Sequence, residues 1–126
     1  MANYYRNVTA FEVLRASKRD FEALAKVWEP EGYDEDGFEK EASGLVVIYD
    51  KDEKGLYIYS EESGDIERVP AEALKKLGEI IEKAGKPFLE FGWADYCDRP
   101  RPGSSGGGEF RVYPDGSVKY PSVVWE

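Results

Sequence analysis

Leu45-Val46-Val47-Ile48-Tyr49-Asp50-Lys51-Asp52-Glu53-Lys54-Gly55-Leu56-Tyr57-Ile58-Tyr59 is the stretch whose reading decides the fold. Its ends are short aliphatic and aromatic runs rich in β-branched residues, the composition of buried strands. Asp50 to Gly55, between them, holds only acids, lysines and a glycine, which suits a turn. The segment therefore predicts an antiparallel hairpin. The same pair of elements, a strand and a helix, is predicted on each side of it.

Toward the N-terminus, Tyr4 to Leu14 alternates as a first strand. Ser17 is placed to cap a helix, with Asp20 three residues on as its capping-box partner. Phe21, Leu24, Ala25 and Trp28 fall at helical spacing and predict one buried stripe, ended by Pro30 and Gly32. From Glu29 to Glu41 the chain is acidic, with Lys40 its only cation, and reads as a solvated loop that rejoins the sheet near Phe38.

Beyond the hairpin and a Ser63-Gly64 turn, Pro70 suits the first position of a second helix. Leu74, Leu77, Ile81 and Ala84 give its apolar face, and Gly85 its stop. Phe88 to Trp93 predicts a strand leading into a Gly-rich loop. Phe110 to Tyr113, a Pro114-Asp115-Gly116 turn and Val118 to Val124 predict a closing hairpin. The expectation is an α+β fold, one domain over residues 1–126, in the order β-α-β-β-α-β-β-β. Two helices pack on one face of a mainly antiparallel sheet, with a ferredoxin-like core as one arrangement of that order.

Composition narrows the chemistry. Apolar residues make up 41% and charged residues 34% of 126, within the globular range. No run approaches the roughly 20 apolar residues that span a bilayer, and the N-terminus lacks a secretory pattern. Cys97 is the only cysteine, so no intramolecular disulfide can form, and a cytoplasmic setting is expected. With no histidine, the commonest general base and the commonest neutral metal ligand are both missing. Serine–histidine and cysteine–histidine hydrolysis are excluded, and so are Cys/His zinc sites. The formal charge of −9 disfavours direct nucleic-acid binding and suits a basic partner surface.

Two segments are candidate sites. The first is Asp98-Arg99-Pro100-Arg101-Pro102-Gly103-Ser104-Ser105-Gly106-Gly107-Gly108, entered through Trp93 and Cys97. Successive glycines let backbone N–H groups converge as an anion nest, and Arg99 or Arg101 could grip the same anion. A structural loop, or a partner contact, accounts for the same residues. The run is neither a Walker A motif nor a dinucleotide fingerprint, so no cofactor is expected. Cys97 beside Arg99 could be a lowered-pKa thiol or an inert strand-end cysteine. The second segment is the acidic stretch, where Glu31, Asp34, Glu35 and Asp36 present spaced carboxylates to a basic protein. Asp50 to Gly55 with Glu61 copies calcium-loop spacing, but Lys54 stands where an oxygen ligand belongs, so an acidic turn is expected and no metal.

Ala2-Asn3-Tyr4-Tyr5, Gly37-Phe38 and Trp93-Ala94 resemble one known pattern, together with Cys97, the run Arg99 to Gly103 and the triplet Gly106-Gly107-Gly108. It is that of a family of small uncharacterised proteins of phages, plasmids and integrated elements. Asp98 replaces that pattern's serine, and Ser104-Ser105 its acidic-aromatic step. The resemblance implies a mobile-element context. Combined with the charge, it gives the functional expectation: a non-enzymatic acidic interaction protein, a counter-defence inhibitor of anti-CRISPR type that binds a basic protein surface. The alternative is a phosphate or nucleotide module built on the Arg-Pro-Arg-Pro-Gly-Ser-Ser-Gly-Gly-Gly loop. An enzyme using Cys97 or a carboxylate pair is the weaker third.

Overall fold

In the computed structural model, the hairpin forms as its composition predicts; residues 4–29, 43–60, 63–97 and 106–120 are described. Strands β3 (Leu45–Asp50) and β4 (Gly55–Ser60) pair from Leu45↔Ser60 to Asp50↔Gly55. The Asp50 carboxylate accepts the backbone N–H groups of Asp52 and Glu53 at 2.9 and 3.0 Å, closing the turn as an Asx motif. Asp50 thus serves the turn itself.

The strand expected over Tyr4 to Leu14 is interrupted. β1 (Tyr4–Ala10) pairs along β5 (Leu89–Cys97), whereas β2 (Leu14–Arg15) pairs with β4. At the break, the Phe11 N–H still donates to the Glu90 carbonyl at 3.0 Å, while the next two residues carry the chain across to β4. Counting β1 and β2 as one broken strand, the neighbours run β3, β4, β1/β2, β5, then β6 (Gly106–Val112) and β7 (Val118–Lys119). Every adjacent pair is antiparallel. The first four positions reproduce the split βαβ order of a ferredoxin-like core, and the closing hairpin extends it by two strands.

Helix α1 (Lys18–Trp28) links β2 to β3. Its N-cap is Ser17, whose Oγ accepts the Asp20 N–H at 3.1 Å. Leu24 and Trp28 are buried, with Phe21 and Val27 half-buried beside them; Ala25 is exposed, against expectation. The roll of the helix explains this. Trp28 Nε1–H donates to the buried Leu45 carbonyl at 2.9 Å, which turns the stripe toward Val27 and lifts Ala25 out of it.

Helix α2 (Ala71–Lys83) links β4 to β5 through a short 3-10 turn at Ile66–Arg68. Pro70 is its N-cap, one position earlier than expected, because its ψ of 144° is still extended. Gly85 ends it at φ 73°, the left-handed stop predicted for it. The buried face is wider than expected, with Ala73, Gly78 and Ile80 joining Leu77 and Ile81. Both helices share one core with the inner sheet face, where Val8, Leu14, Leu45, Leu56, Ile58, Phe91 and Phe110 are each at most 2% exposed. No described helix is long and apolar enough to cross a membrane.

Candidate functional site

The strand predicted to stop at Trp93 continues to Cys97, and its partner strand begins inside the glycine triplet. Gly106, Gly107 and Gly108 pair with Asp95, Ala94 and Trp93. Gly107 and Gly108 are extended strand, and neither has a positive φ. They therefore lack the alternating handedness of an anion nest. Steric need accounts for Gly108, because a Cβ there would sit 2.9 Å from Trp93 Cε2, Cζ2 and Nε1. The Arg6 guanidinium lies 4.5 Å from the Trp93 ring centroid, at cation–π distance. The Trp93 Nε1–H is buried and has no hydrogen-bond partner among the described residues. At Cys97 the backbone pairs with Tyr4.

Of the sequence-predicted site residues, Trp93, Cys97 and the glycine triplet are thus brought together on the paired strands β5 and β6. Arg99, Arg101 and Gly103 lie outside the described residues. So do Glu31, Asp34, Glu35 and Asp36.

Two further surfaces were not anticipated by the sequence reading. The first follows from strand alternation. Side chains that do not face the helices point to the opposite sheet surface, which no described helix covers. Tyr57 and Tyr59 are stacked there at 6.0 Å, opposite Ile48 and Val46 respectively. Ile48 is 42% exposed. Phe11, 56% exposed, lies over Gly92, where a Cβ would come within 2.6 Å of its ring. Strand periodicity implies this pattern, but only the topology shows that both helices occupy the other side.

The second surface is a hollow of about 520 Å³ at the end of the sheet nearest the β3–β4 turn. Arg15, Lys54 and Lys83 line it with Asp20 and Tyr49, over Ile80 and Ala84. Lys54 adopts φ 55°, the only positive φ of a non-glycine among the described residues, and its carbonyl accepts the Ala16 N–H at 3.2 Å. Burial alone would raise the Asp20 pKa. Hydrogen bonds from Lys83 and Ser17, with the charges of Lys83 and Lys76, outweigh that and hold it below the ordinary value. No sequence motif could have signalled this hollow, since its cations come from three separate elements.

Comparison of the chain with protein-family models, curated proteins and solved structures finds no match.

Proposed function

We propose that the chain is a non-enzymatic interaction protein that docks a basic protein surface through the sheet face that no described helix covers. One observation carries the reading: the Tyr57–Tyr59 stack, Ile48 and Phe11 share a face that no described helix covers, in a chain of net charge −9. Aromatic anchors supply contact area at low entropic cost, and long-range charge supplies steering and partner choice. The acidic balance selects a basic protein over a phosphate backbone as the occupant. The resemblance to mobile-element proteins supports the narrower form of the proposal. In that form, the partner is a nucleic-acid-binding protein of host defence and the chain inhibits it by occupying its basic groove.

The test is capture from a bacterial lysate at low salt, followed by titration of the purified captured protein. A basic partner is expected whose affinity falls steeply as salt rises. Ile48→Asp and Tyr59→Ser are each expected to weaken it by about tenfold or more. A specific partner that binds both variants as tightly as the parent would sink the sheet-face reading. So would nucleic acid binding directly to the parent while no protein does.

A further inference from the structure

The hollow lined by Arg15, Lys54 and Lys83 lies on the helix side of the molecule, away from the proposed docking face, and its chemistry is different. We propose that it binds a small phosphorylated ligand of nucleotide size. Charge is the first argument. Three cations and one carboxylate line the hollow, although the whole chain carries −9. The carboxylate is already met: Asp20 Oδ1 lies 3.3 Å from Lys83 Nζ and 3.8 Å from Lys76 Nζ. Arg15 and Lys54, by contrast, make no ion pair among the described residues. Among the described residues, two cations therefore stand without an ion pair beside a concavity, in a molecule with carboxylates in excess.

Shape is the second argument. A volume of about 520 Å³ falls within the range of small-molecule sites and far exceeds a bare phosphate. The remaining lining suits an organic body. Ile80 and Ala84 form an apolar floor, and the Tyr49 ring, braced by Phe21 at 5.7 Å, forms an aromatic wall. Cations on one side and an apolar, aromatic surface on the other match a phosphate joined to a flat base.

Backbone conformation is the third argument. Lys54 occupies a left-handed position that glycine would fill without strain, immediately before Gly55. A lysine kept there places its side chain at the hollow, while its carbonyl is tied to Ala16.

Lys54→Gly therefore separates binding from folding. Calorimetric and NMR titrations with adenosine monophosphate, uridine monophosphate and inorganic phosphate, at constant ionic strength, test the proposal. Both nucleotides are expected to saturate at millimolar concentration or below, with amide shifts centred on Ala16, Tyr49 and Ala84. Arg15→Gln and Lys54→Gly should each weaken them by about tenfold, the scale of one lost charge-assisted contact. Lys54→Gly should melt at the parent temperature or above. The sheet-face variant Ile48→Asp should bind the nucleotides as the parent does, so the two proposals fail separately. No saturable shift from either nucleotide overturns the site, as do shifts centred elsewhere or unchanged affinity in folded Lys54→Gly. Inorganic phosphate binding as tightly as the nucleotides overturns the nucleotide-sized ligand.

Discussion

Trp93 and Gly108 are paired across the β5–β6 ladder, and the indole of one fills the space that a side chain on the other would need. The glycine triplet is therefore read, at its third residue, as room for a ring. The ring also receives the Arg6 guanidinium at 4.5 Å, so three strands meet at one indole.

Gly108→Ala should destabilise the protein, because a Cβ there meets ring atoms at 2.9 Å and the indole must move. The expected cost is about 1–3 kcal/mol, the range for overfilled packing. Denaturant unfolding monitored by tryptophan fluorescence measures it. Stability equal to the parent would show that the indole moves aside at no cost.

Trp93→Phe should cost little, within about 1 kcal/mol of the parent. It removes a buried N–H that has no acceptor among the described residues, an arrangement that itself costs about 1–3 kcal/mol, and so offsets the lost ring area. The smaller ring should also admit a Cβ opposite. A double-mutant cycle of Trp93→Phe with Gly108→Ala is thus expected to show favourable coupling of about 1 kcal/mol.

Gly78→Ala reverses the usual helix rule. Inside α2, alanine should gain about 1 kcal/mol over glycine from propensity alone. Here the added Cβ would lie 2.3 Å from the Pro114 carbonyl oxygen and 2.8 Å from the Gly116 nitrogen, both backbone atoms. Backbone yields less readily than a side chain, so a net loss of about 1–3 kcal/mol is expected. Equilibrium unfolding of the single variant decides the sign.

Asp20→Asn should lower stability near neutral pH by about 0.5 kcal/mol, the scale of partly exposed ion pairs. The folded-state pKa of Asp20 lies below its ordinary 3.8, so its contribution is present above that pH. That contribution is lost as pH falls through the folded value. The gap between parent and variant should therefore close below pH 3.8. Urea unfolding at neutral pH and again in acid measures it; a constant gap would show that the charge of Asp20 is irrelevant.

The architecture was legible wherever the sequence is periodic. The Leu45–Tyr59 hairpin, the stripe through Leu24 and Trp28, and the Gly85 stop each follow from local chemistry. What escaped the reading depends on partners distant in sequence. Tyr96 alone in Ala94 to Cys97, and nothing in Gly106 to Gly108, favours a strand by propensity; pairing of β5 with β1 and with β6, and the Trp93 ring, impose it. Ala25 matched the stripe by spacing, but the Trp28 hydrogen bond to Leu45 set the roll. The cationic hollow gathers Arg15, Lys54 and Lys83 from β2, the hairpin turn and α2, a convergence no spacing rule encodes. The acidic stretch was conspicuous for its charge, but composition says nothing of where its carboxylates point.

The interrupted strand β1/β2 is bordered by β4 on one side, and by β5 on the other along β1. Order along the chain and order across the sheet therefore disagree. During synthesis, a chain emerging from the ribosome completes the first helix, the hairpin and the second helix while β1 still has one bare edge. That edge is filled only when Leu89–Cys97 appears, pairing Tyr4 with Cys97. The central strand of the finished molecule is thus an exposed strand of the nascent one, open to foreign pairing until β5 emerges. Arrival of β5 turns an assembly of local pieces into a cooperative sheet.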